Sequence, residues 1–142
     1  MLKLKPGVSF DGLQPEGDEI RQALEDVSAL IGVDLTITCT TRDHSEADPH
    51  THGYALDVRT LDLTPPQIVQ VFRSAWKRLG TEQYTVRFEV KTKDEFAALP
   101  ADLQEIASIN DKATTRHIHI QFRKGLWQQL VAARNQALGT TT

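Results

Sequence analysis

The stretch "RHIHIQF", residues 116–122, decides how this chain is put together. A β-strand sends alternate side chains to opposite faces. Read as a strand, Ile118, Ile120 and Phe122 point to one side and His117, His119 and Gln121 to the other. The first face is core. The second presents two imidazoles about 7 Å apart along the strand, at a rise of ~3.3 Å per residue. At that spacing one histidine can bind a metal while the other reaches a substrate on it. The chain has five histidines, and the other three, His44, His50 and His52, all lie in one polar stretch.

Working outward, "GYALDVR" (53–59) alternates in the same way, with Tyr54, Leu56 and Val58 opposite Ala55, Asp57 and Arg59. "QYTVRFEV" (83–90) places Tyr84, Val86, Phe88 and Val90 opposite Thr85, Arg87 and Glu89. "DLTITCT" (34–40) reads as a half-buried strand, with Leu35, Ile37 and Cys39 on its core side. The plain reading of Cys39 is a small buried hydrophobe. Apolar residues at helical spacing predict a helix over 18–31, stopped by Gly32. A second helix starts at Thr64–Pro65 and ends at Gly80, with Leu63 as a staple on Ile68 and a buried stripe of Ile68, Phe72, Ala75, Trp76 and Leu79. A closing helix over 125–138 is built on Leu126, Trp127, Leu130, Val131 and Leu138. Residues 1–16 read as irregular, 41–52 as a loop, and 91–115 as polar with one short helix near "ADLQEIASI". The fold class that follows is α+β, a mostly antiparallel sheet with helices packed on one side, in a single domain over 1–142.

The totals narrow the function. At 142 residues the chain suits one core, and 39% apolar with 25% charged residues is ordinary for a globular protein. A net charge of −3 gives no sign of a nucleic-acid partner. No run approaches the ~20 apolar residues of a membrane span. The first residues, "MLKLKPGVSF", lack the apolar stretch of a secretory signal, so synthesis in the cytoplasm is expected. One cysteine excludes an internal disulfide.

In "DPHTHGYALDVRT" (48–60), His50 stands seven residues before Asp57, and a turn at Gly53 would bring both to one point. Two imidazoles and a carboxylate are a common catalytic zinc set: three protein ligands leave one tetrahedral position for water. A structural site would more often use four ligands with several cysteines. Such a site is expected to lose its metal as the histidines protonate, near pH ~6.

The motif His-x-x-Gly-x-Ala-x-Asp, met by His50, Gly53, Ala55 and Asp57, followed downstream by "HIH", resembles zinc peptidases related to D-alanyl-D-alanine carboxypeptidases, lysostaphin-type enzymes and the hedgehog signalling domain. Within that group it is most similar to the short carboxypeptidase and L-alanyl-D-glutamate endopeptidase forms of phages and bacteria. The match covers roughly 34–59 and 84–122. The resemblance implies a hedgehog/DD-peptidase-like fold, Zn2+ held by His50, Asp57 and His119, and His117 beside the metal as an oxyanion or proton-handling group. It also implies that Arg42, in "TTRDHS", meets a substrate carboxylate, and that the substrate is a peptidoglycan peptide. A phage enzyme released to the cell wall would fit the lack of a signal segment.

Two positions depart from the family. Asp48 stands where a serine is usual, and Arg116 stands where many members carry an acidic base; an arginine accepts no proton. Glu89, at the end of the preceding strand, is then the expected base, with His117 as the fallback. His44 and His52 read as loop residues. The alternative is a zinc domain of the same fold with a structural or binding role. The "HIHI" run also fits nucleases that nick single strands through a tyrosine, but no tyrosine follows His119.

Overall fold

The structure is a computed structural model that describes residues 1–42 and 45–139. Its centre is a six-stranded sheet: β1 (Leu2–Leu4), β2 (Leu35–Cys39), β3 (Ala55–Arg59), β4 (Tyr84–Val90), β5 (Ala107–Ile109) and β6 (His117–Phe122), in the order β1-β2-β3-β6-β4-β5. The inner pairs β2–β3, β3–β6 and β6–β4 are antiparallel. Both edges are parallel, β1 on β2 and β5 on β4, so the sheet is mixed. Neither edge strand follows from the alternation rule, because three residues show no period. The segment around 107–109, expected as helix, is strand β5, and 2–4, expected as irregular, is β1.

The helices are α1 (Pro15–Ile31), α2 (Pro65–Leu79), α3 (Lys93–Ala97), α4 (Ala101–Gln104) and α5 (Lys124–Ala137), with a 3-10 turn at Pro49–His52. Helix α1 begins one turn earlier than its apolar period predicts, because Pro15 suits the first helical position. Gly32 ends it in the left-handed region at φ 73°, its N–H bonded to the Ser28 carbonyl. Thr64 and Gln67 form a reciprocal capping box at the start of α2, a contribution of about 1 kcal/mol.

One hydrophobic cluster unites the core face of the sheet with α1 and α2. Leu56, Val58, Phe88, Ile118 and Ile120 are fully buried against Ile20, Leu24, Val27, Ile68 and Val71. Each such side chain stabilises by about 1.5–3 kcal/mol on leaving water. The α2 stripe is rotated from the expected one: Val71 is buried and Trp76 is 45% exposed, its ring edge against Phe72. In α5 only Trp127 is buried, stacked near Tyr54, while Leu130 and Leu138 face solvent.

Candidate metal centre

Register places the polar residues of the other sheet face in rows. Asp57, His119 and Arg87 lie side by side on β3, β6 and β4; Arg59, His117 and Glu89 form the next row. Above them opens a cleft of about 1470 Å³.

His50 reaches this face from the 3-10 turn. Asp48 caps that turn, its Oδ1 accepting the His50 backbone N–H at 2.9 Å, and Pro49 occupies the first turn position. Gly53 closes it at φ 81°, and a Cβ there would come within 2.3 Å of the Gly12 carbonyl. The motif glycine is therefore fixed by both backbone sign and crowding. The Asp48 carboxylate also takes the Arg42 guanidinium at 2.8 Å. Burial alone would raise the Asp48 pKa, but Arg42 and the His50 N–H bring it below the usual carboxylate range.

Of the three expected ligands, His50 and His119 each approach Asp57 at its Oδ1, but the three do not form one compact group of ligand atoms among the described residues. Asp57 Oδ1 lies 2.8 Å from His119 Nδ1 and 3.3 Å from His50 Nε2. The latter is about the separation of two ligands on a tetrahedral zinc at ~2.0–2.1 Å. The outer ring nitrogens fix the tautomers. His50 Nδ1 donates to the Thr40 carbonyl at 2.6 Å, a group that can only accept. His119 Nε2 donates to Gln121 Oε1 at 2.8 Å. With both outer N–H bonds spoken for, the inner nitrogens turn lone pairs toward a carboxylate, and such a point demands a positive charge. A proton or a metal ion supplies it, and a metal-binding histidine with its far N–H bonded in this way is the usual arrangement. The residues fit a divalent cation.

Without a metal, protons fill that role. Burial would lower His50, but hydrogen bonds and charge from Asp57 and Cys39 raise it to about 10. Burial would raise Asp57, yet His119 and His50 hold it far below the carboxylate range. The competing proton on His50 is thus bound more tightly than the pH ~6 expectation allows, because Asp57 stabilises the cation.

His117 stands beside this point, Nε2 at 3.1 Å from Glu89 Oε1 and 3.7 Å from Asp57 Oδ1, its Nδ1 donating to the Thr115 carbonyl at 2.8 Å. Burial opposes the charge on both partners, but their contact prevails: Glu89 is lowered and His117 is raised. Asn110 Nδ2 donates to Glu89 Oε2 at 3.2 Å. Asn110 follows β5, whose parallel pairing brings Ser108 opposite Glu89.

Cys39 is the main departure. A bulge in β2 sets Ile37 opposite Val58 but Cys39 opposite Asp57, so Thr38 is the extra residue. The cysteine leaves the core side, and Thr40 turns inward, buried at 3% exposure. Cys39 Sγ lies 3.4 Å from His50 Nδ1, the nitrogen held by Thr40. Two compact groups of ligand atoms result, each within 4.8 Å and sharing Asp57: Asp57 with His117 and His119, and Asp57 with His50 and Cys39.

Of the remaining candidates, Arg42 lines the cleft with its guanidinium on Asp48. His52 stacks on Trp127 at 5.2 Å and donates to the Glu46 carbonyl, apart from the Asp57 cluster. His44 lies outside the described residues. Gln121, Asn110 and the Thr40 carbonyl were not assigned roles from sequence; Gln121 shares the His117–His119 face and was in principle legible there. Arg116 is half-buried, with Nε lacking a partner among the described residues. Among the described residues no helix is long and apolar enough to cross a membrane. No family model matches the chain, and no curated protein does either.

Proposed function

We propose that the chain is a zinc peptidase with a hedgehog/DD-peptidase-like fold, hydrolysing a peptide bond in peptidoglycan stem peptides as a carboxypeptidase or endopeptidase. One observation carries the reading: His50 and His119 donate their outer N–H groups away and converge on Asp57 Oδ1, with the Glu89–His117 pair alongside. His50, Asp57 and His119 would hold the ion. A bound zinc supplies Lewis acidity, polarising a carbonyl and lowering the pKa of a water to ~7. Glu89, kept anionic by His117 and Asn110, takes the proton of the attacking water. His117, whose pKa the Glu89 contact raises, would turn its Nε2–H from Glu89 toward the developing oxyanion. Glu89 then returns the proton to the leaving amine, so water is divided between the new carboxyl and the new amine.

The test is zinc stoichiometry together with turnover. One zinc per chain is expected, lost in His119→Ala, with chelator-sensitive release of new amino groups from purified peptidoglycan. Absence of zinc-dependent amino-group release removes the enzyme reading. Arg116, standing where the family's acid would be, favours a second reading, a non-catalytic zinc domain; bound zinc without any release would select it.

A further inference from the structure

We propose that Arg59 and Arg87 form a two-sided anion clamp, so that the peptide taken by this cleft is acidic, with one carboxylate on each side of the bond over the metal. The proposal rests on the peptidase reading for the position of that bond, and on the sheet register for the rest. Both arginines line the cleft, and neither makes an ion pair or hydrogen bond among the described residues. Their cross-strand neighbours are histidines, Arg59 opposite His117 and Arg87 opposite His119.

The acids nearby are already engaged. Asp57 is shared by three histidines, and Glu89 by His117 and Asn110. Arg42 is tied to Asp48. Although the whole chain carries a net −3, the cleft wall carries Lys5, Arg42, Arg59, Arg87, Lys112 and Arg116 against the carboxylates of Asp48, Asp57, Asp62 and Glu89. A divalent ion would add to that positive excess, and a cleft of one sign concentrates ligands of the other.

The spacing sets the ligand. Arg59 and Arg87 occupy opposite corners of the two rows, two strands and one two-residue step apart. Strand spacing of about 4.8 Å and a rise of ~3.3 Å place their Cα atoms about 12 Å apart. An extended peptide spans about 13 Å between its first and fifth Cα atoms, and those two side chains share a face. Two acidic residues separated by three others therefore match the arginine spacing, while the middle of the peptide crosses β6 between His117 and His119.

The probe is acetyl-Asp-Ala-Ala-Ala-Asp-amide against its double-asparagine counterpart, with binding to the zinc-treated protein followed by calorimetry at low and high salt. The acidic peptide is expected to bind about tenfold tighter or more, with the preference falling as salt rises. Arg59→Gln and Arg87→Gln should each remove part of that preference while leaving the asparagine peptide unaffected, and Arg→Lys at either site should keep part of it. Equal binding of the two peptides, no binding of the acidic one, or equal weakening of both peptides by the substitutions would overturn the clamp. Calorimetry needs no turnover, so the two readings fail separately. A protein that takes no zinc but keeps the charge preference defeats the peptidase reading alone. A zinc-loaded, active protein without the preference defeats the clamp alone.

Discussion

The two faces of β3, β6 and β4 come from the same alternating residues and obey opposite physics. On one, Leu56, Val58, Phe88, Ile118 and Ile120 are wholly buried under α1 and α2. On the other, separated by a single backbone layer, Asp57, His117, His119 and Glu89 crowd carboxylates and imidazoles within hydrogen-bond reach. The first face is satisfied by excluding water, and any neighbour of the right volume serves. The second is satisfied only when charges and protons are matched atom by atom. Along β6 the core residues thus take the even positions and the candidate site residues the odd ones.

The comparison breaks most sharply at Glu89. Glu89→Gln should lower turnover by about 10²–10⁴, well beyond the stability lost with its His117 partner, while leaving zinc stoichiometry nearly unchanged. Steady-state kinetics beside urea unfolding would show the split. A loss of stability equal to the loss of activity would mean that the polar face also holds the fold together. The mirror experiment is Ile120→Ala, expected to cost about 2–5 kcal/mol in urea unfolding while the folded protein still takes one zinc. Gln121→Ala leaves His119 Nε2 without its acceptor and should weaken zinc binding by about 10–100-fold, read by competition with a chromophoric chelator.

A further effect is one of pH. His50 is raised to about 10 in the metal-free protein, above its unfolded value of ~6.5. Its contribution is fully present below pH ~6.5 and is lost as pH rises through about 10. Asp57 is depressed, so its contribution is present above its unfolded ~3.9 and is lost as pH falls through its lower folded value. Zinc must displace the His50 proton, so its binding strengthens as pH rises. Differential scanning should show the metal-free Tm declining from pH 6.5 to 9 while the gap to the zinc-treated protein widens, on a scale of ~2–6 °C per kcal/mol. A gap that narrows over that range would place the competing proton elsewhere.

Much of this was legible because the long strands keep their period. "RHIHIQF" and "GYALDVR" declare both faces without help, and Thr64–Pro65 and Gly80 mark the ends of α2. The edges were not legible: β1 and β5 have three residues each, and their strand state comes from the neighbour they pair with. Trp76 was misread because Val71 and Ile68 set the packed side of α2, leaving the indole at its margin. Cys39 was misread because a bulge reverses the alternation partway along β2, and the extra residue shows only when its partner strand is present.

The sequence by itself determined which residue types share a face, since alternation along a strand is local geometry. It also marked a turn at Gly53, while the Asp48-capped 3-10 turn that swings His50 round came only with the structure. Only the tertiary structure decided which atoms meet. That Asp57 Oδ1 serves two inner nitrogens, that Asn110 steadies Glu89, and that Arg59 and Arg87 face histidines instead of acids all depend on register between strands distant in the chain. Register is set by the packing of the whole core, which no single segment contains.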